Sequence, residues 1–182
     1  TIIQSIYFDN CSVSLSTRGS NWLIGINYFD TSWSAPENHG IQVDVFNTTN
    51  SIFSHNILKT CLVTGCLESN GGGNVAGING WTINGNLFLK NTGGNGIVTS
   101  ASSTIVTNTR IYGNTIINSI SPILWQQHVG VGPNHGTGNV VKNNLLFYSD
   151  CDIPSNGGDP IDHDYNAYFS CTSPPVSEPN IQ

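Results

Sequence analysis

The chain contains no methionine, and only five of its 182 residues are lysine or arginine. Against eleven aspartates and glutamates this gives a formal net charge of −6, so no basic patch is available to neutralise a nucleic-acid backbone. Charged residues make up 9% of the chain, where a soluble domain usually has about a quarter. Disorder is excluded all the same, because the net charge is modest and the apolar pattern regular. No apolar run approaches the roughly 18 residues that span a bilayer. Nor does any stretch keep apolar residues at helical spacing for three turns, which excludes a long amphipathic helix. Lack of an initial methionine is what a processed chain or a segment of a longer one would show, and no signal peptide is left to read.

What the chain has in quantity is asparagine, 24 in all. Several fall in a recurring frame: "FSHNILK" at 53–59, "INGNLFL" at 83–89, "IYGNTIINS" at 111–119 and "VKNNLLF" at 141–147. Looser copies are "YFDNCSV" at 7–13, "IGINYFD" at 24–30 and "HDYNAYF" at 163–169. Aligned on the asparagine they give Asn10, Asn27, Asn56, Asn86, Asn114, Asn144 and Asn166, with intervals of 17, 29, 30, 28, 30 and 22 residues. Such spacing marks a repeat architecture. Most copies carry an apolar residue three positions before the asparagine and another two after it. One unit cannot bury its own apolar face, but stacked units can. Stacking at the strand spacing of about 4.8 Å would place the asparagines above one another as an amide ladder. Asparagine also accepts the left-handed backbone of a tight corner.

These motifs, together with "DHDYNAYF" at 162–169, resemble the right-handed parallel β-helices of the pectate-lyase-like superfamily across nearly the whole chain. The resemblance implies an all-β solenoid of about six to seven coils with an internal Asn ladder, spanning 1–172, followed by a Pro-rich tail at 173–182. It implies second strands near 51–55, 80–84, 105–112 and 139–142, each followed by a third strand after the asparagine. First strands are expected at 40–46, 61–65, 96–101 and 122–127. Their outward positions would be Gln42 and Asp44, Leu62 and Thr64, Val98 and Ser100, Leu124 and Gln126. Trp81 and Trp125 fall on inward-leaning strand positions and read as core.

Cys151 and Cys171 fall in consecutive coils, within disulfide reach of one another, and Cys61 and Cys66 are close enough in sequence to pair. Cys11 is left over. Paired short spacings with nearby histidines, as zinc requires, are absent, so the cysteines point to a secreted, disulfide-bonded chain. Of the two N-glycosylation sequons, the one at Asn47 follows a first strand and reads as an exposed turn able to carry a glycan. Asn10 is a ladder position and should stay unmodified.

Enzymes of the resembled family mostly act on acidic polysaccharides from the outer face of the first-strand sheet. Here that face offers one ionisable residue, Asp44, with His39 upstream in "ENHGIQVD", a segment resembling one in which the epimerases of that family place a catalytic histidine. His39 and Asp44 are therefore the candidate catalytic pair. A second cluster, Asp150, Asp152, Asp162 and Asp164, has oxygen ligands dense enough for Ca²⁺. The start "TIIQSI" is apolar, β-prone and uncapped, which favours head-to-tail association of copies. Two functions stay open. One is a secreted extracellular structural protein that assembles end to end into a filament or surface layer and contacts polysaccharide. The other is a calcium-dependent lyase or epimerase acting near His39.

Overall fold

The computed structural model describes residues 1–11, 15–32, 43–59, 65–70, 78–89, 95–101, 106–119, 123–127, 137–148 and 162–171. Every regular element among them is a β-strand, and the strands pair in parallel into three sheets. Sheet A stacks Ile2–Gln4, Leu23–Gly25, Ile52–Ser54, Thr82–Asn84, Arg110–Tyr112, Val140–Lys142 and Asp162–Asp164. Sheet B stacks Tyr7–Cys11, Tyr28–Ser32, Ile57–Lys59, Leu87–Leu89, Thr115–Ile117, Leu145–Phe147 and Ala167–Phe169. The arrangement is solenoid-like, each layer bonding to the next along one axis.

Two residues join each sheet A strand to the sheet B strand that follows. The first has a left-handed backbone: Ser5, Ile26, His55, Gly85, Gly113, Asn143 and Tyr165 all have φ between 55° and 64°. The second, from the second layer on, is Asn27, Asn56, Asn86, Asn114, Asn144 or Asn166, each at most 2% exposed. A sheet A strand, the corner and the first three residues of the sheet B strand form a fixed block of eight residues, as in Ile52–Lys59, repeated in all seven layers; in the first two layers the sheet B strand runs two residues further. Glycine or asparagine suits the left-handed position. Ile26, β-branched, at φ 56° and 64% exposed, occupies it at a conformational cost.

The buried asparagines form the ladder. Each Nδ2 donates to the next Oδ1, at 3.0 Å from Asn27 to Asn56, 3.1 Å from Asn56 to Asn86 and 2.9 Å from Asn144 to Asn166. The same Oδ1 also accepts the backbone N–H of the previous asparagine, at 2.9 Å for Asn56 onto Asn86. The second Nδ2 proton reaches a carbonyl one layer back, as from Asn86 to Phe53 O at 3.0 Å. A buried amide thus keeps its polar atoms satisfied in a place where unpaired groups are costly.

Around this seam lie two core rows. Ile24, Phe53, Ile83, Ile111 and Val141 stack in register on sheet A, ending on His163. Phe29, Leu58, Phe88, Ile116 and Leu146 stack on sheet B, ending on Tyr168. The ten apolar members are at most 4% exposed. Phe8 continues the sheet B row at the other end, its ring stacked 4.6 Å from Phe29 and nearly parallel to it. Here the structure corrects the sequence alignment. Tyr7 pairs with Tyr28, so Ile6 falls opposite Asn27, and the Ile6 N–H donates to Asn27 Oδ1 at 3.0 Å. Asn10 lies four residues further on, within the strand Tyr7–Cys11, and the first interval is 21 residues rather than 17.

Sheet C is less regular. Leu15–Ser20, Val43–Thr49, Gly65–Asn70, Asn95–Ala101 and Ile123–Gln127 stack along it, and the end of Val43–Thr49 also pairs with Ile78–Asn79, which pairs with Val106–Thr107. The expected strand 105–112 is therefore two strands, parted at Asn108, whose φ is 51°. Of the strand expected at 61–65, residues 61–64 lie outside the described residues; the described strand there is Gly65–Asn70, which pairs with both neighbours in the sheet. A second corner leads from sheet C to sheet A. Asn139 Oδ1 there accepts the Thr109 N–H at 3.0 Å, and Ser51 Oγ accepts the Trp22 N–H at 3.2 Å. Glycine suits Gly138, whose φ of 80° strains other residues and where a Cβ would also have to displace Asn108 Oδ1 in the layer before, 2.3 Å away.

Replacing Asn86 by leucine removes the acceptor for two Asn56 protons and the donor to Phe53 O. The expected loss is about 3 kcal/mol or more of unfolding free energy, read from urea denaturation with the m-value compared. Asn84→Thr, at the outer side of the strand that precedes this corner, should stay within about 0.5 kcal/mol. Equal losses in the two variants would refute the role given to the ladder.

Candidate functional site

Alternation along a strand sends every second residue outward, and on the last three strands of sheet A those residues are the most polar group on either regular sheet. Arg110, Val140 and Asp162 share one register row, and Tyr112, Lys142 and Asp164 share the next. Lys142 Nζ lies 2.7 Å from Asp162 Oδ2. That hydrogen bond is the main reason the Lys142 ammonium titrates above the ordinary lysine range. The Asp162, Asp164 and Tyr165 charges add to the effect, while desolvation opposes it. Asp164 Oδ1 accepts the Tyr165 N–H at 2.8 Å, supporting the left-handed corner there. The rings of Tyr112 and Tyr165 stand exposed beside this strip, and Arg110 forms no ion pair among the described residues. A planar guanidinium, carboxylates and phenol rings one strand apart supply donors, acceptors and apolar faces to a polyhydroxylated ligand.

A second charged group lies on sheet B, at the opposite end of the stack. Lys59 Nζ is 3.4 Å from Asp30 Oδ2. The bond to Asp30 is likewise the main cause of the raised Lys59 titration. Tyr7 and Tyr28 stack beside it with ring centroids 5.2 Å apart. Desolvation, followed by the charges of Asp9 and Asp30, raises the Tyr7 hydroxyl.

The sequence candidates fare unevenly. His39 lies outside the described residues. Asp44 sits in Val43–Thr49, and its register partners are Ser16 on one side and Glu68 on the other. Glu68 was missed because the neighbouring strand was expected at 61–65, which put Leu62 and Thr64 at the outward positions. The signal was there: Leu67 follows Asn56 by eleven residues, as Ile97 follows Asn86. Asp150 and Asp152 lie outside the described residues. Asp162 gives its carboxylate to Lys142, and no three His, Cys, Asp or Glu gather around a potential metal position among the described residues.

Cys66 is buried in the core and Cys171 packs against it, while Cys61 and Cys151 lie outside the described residues. Asn47 is within Val43–Thr49 rather than in a turn after it, at the point where the register against Arg18 and Gly19 shifts by a residue. Trp81 is core, as expected, and its indole N–H donates to Thr48 Oγ1. No helix among the described residues is long and apolar enough to cross a membrane.

The Lys142–Asp162 pair makes a signed pH prediction. A lysine raised by its partner contributes stability that is complete below the ordinary lysine pKa of about 10.4. That contribution is lost as the pH climbs through the raised value. Asp162→Asn should therefore lower the Lys142 midpoint followed by NMR at its Cε. At neutral pH it should leave the thermal transition unchanged within error, because the pair is solvent-screened. An unmoved midpoint would discount the bond.

No protein-family model, curated protein or solved structure matches the chain.

Proposed function

We propose that the chain is a right-handed parallel β-helix of the pectate-lyase-like kind, secreted and structural in role. In this reading copies assemble end to end into a filament or surface layer, and the Arg110, Tyr112, Lys142 and Asp164 strip contacts polysaccharide. Disulfides Cys61–Cys66 and Cys151–Cys171 belong to the same proposal. The observation that carries it is the sameness of the layers. Every layer bonds to the next through the ladders of sheets A and B, and from the second layer on through the same amide, so a layer is a ready template for another.

A second reading, a calcium-dependent lyase or epimerase of acidic polysaccharide, has one observation in its favour. Asp44, in the strand that follows the His39 segment, is in register with Glu68 on the neighbouring strand.

Electron microscopy of the purified chain separates the two. The structural reading expects filaments with an axial repeat of about 34 Å, seven layers at strand spacing. It also expects co-sedimentation with an insoluble polysaccharide that weakens in Arg110→Ala. Dispersed particles at every concentration would sink it. Unsaturated uronate products that vanish in His39→Ala would install the enzyme instead.

A further inference from the structure

The corner between sheets A and B is also a ridge on the outside of the stack, with one left-handed residue per layer along it. Ser5, Ile26, His55, Asn143 and Tyr165 stand there with exposed side chains, while the fourth and fifth layers have Gly85 and Gly113. The two glycines differ. At Gly85 a Cβ would lie 3.2 Å from Cδ2 and Nε2 of His55, so the imidazole of the layer before already covers that position. At Gly113 a Cβ would meet only the Gly85 nitrogen, 3.9 Å away. Backbone conformation does not demand glycine there, since Asn143 takes the same position in the next layer at φ 56°. Gly113 therefore leaves a gap in the ridge. The His55 ring over Gly85 walls it on one side and Asn143 on the other, and those two layers are about 10 Å apart.

We propose that a neutral glycan chain crosses the ridge through this gap. It runs along one layer, from Arg110 and Tyr112 on sheet A, over Gly113, to Thr115 on sheet B. The crossing rests on the polysaccharide contact proposed above for the sheet A strip, and gives that contact a direction and a class of sugar. The direction follows from shape. Arg110 and Tyr112 face outward on the strand before the gap, and Thr115 on the strand after it. In the adjacent layers the His55 ring and Asn143 stand across the same path. The class follows from charge. Beside Tyr112 in register are Asn84 and Lys142, and beside Thr115 are Leu87 and Leu145, so no carboxylate borders the gap in these rows. Lys142 is held by Asp162, and across the strip two cations, Arg110 and Lys142, face two carboxylates, Asp162 and Asp164. On a chain of net charge −6 an anionic polymer gains little from such a strip and is repelled by the whole. Hydroxyls need only what the gap has: an exposed phenol ring, an imidazole, two carboxamides and a hydroxyl.

Affinity electrophoresis of the full chain tests this, in gels carrying a soluble mixed-linkage glucan, a xylan, a galactomannan or polygalacturonate. Gly113→Asn fills the gap with a residue that the next layer already holds in that conformation. Ser5→Asn puts the same side chain at the same ridge position four layers away. Far-ultraviolet circular dichroism shows that each variant is folded, and Thr115→Gln, beyond the gap, serves if Gly113→Asn unfolds. A neutral glycan is expected to retard the wild type. Gly113→Asn should weaken that binding roughly tenfold, the equivalent of one lost contact, and Ser5→Asn should leave it unchanged. Binding that weakens in Arg110→Ala but not in Gly113→Asn would keep the sheet A contact and overturn the crossing. Retardation by polygalacturonate alone would overturn the neutral class and leave a polysaccharide contact standing. No retardation in any gel would overturn the crossing and the contact together.

Discussion

One buried side-chain amide in every layer after the first sets the terms for the rest of this structure. Its oxygen takes two protons from the layer before, and its nitrogen gives one to the next amide and one to a carbonyl one layer back. Of uncharged side chains only asparagine and glutamine carry an acceptor and two donors in one amide, and asparagine holds it one methylene closer to the backbone. Within the stack the asparagine satisfies the groups that the tight turn takes out of the strand ladders. The strands on either side can be three residues long only because the corner is tight.

Packing follows from that brevity. A three-residue strand offers one inward position, so each layer contributes one core residue from sheet A and one from sheet B. Neither could bury itself alone. In register they make continuous rows, and those rows supply the apolar burial on which the stack rests. The rows change character in the last layer, where His163 and Tyr168 take the places of aliphatic residues.

The sequence was most legible where chemistry repeats. From Asn27 onward the ladder positions, and the inward residues three before and two after, could be read directly, because amide and apolar flanks recur together. The first layer misled: Ile6 stands at its ladder position, and Asn10 happened to fit the frame. The second corner was illegible because Trp22, Ser51, Trp81, Thr109 and Asn139 occupy the equivalent position in turn, and of these Ser51 and Asn139 are seen to accept the N–H of the layer before. Sheet C was only partly legible, since its distance from the amide varies with the connection. The same slippage hid Glu68 beside Asp44. The charged strip on sheet A went unseen for another reason. Arg110, Lys142 and Asp162 are dozens of residues apart, and only the stacking gathers them.

The invariant eight-residue block has a consequence for how such a chain changes over generations. The intervals between layers run from 21 to 30 residues, while the block never varies, so all the variation in length falls in the return from sheet B through sheet C. Insertions and deletions there leave the amide column where it was. One residue added inside the block would turn every following side chain of that strand to the opposite face and break the column. Heritable novelty, and any loop grafted by an engineer, therefore has one safe place of entry in each layer.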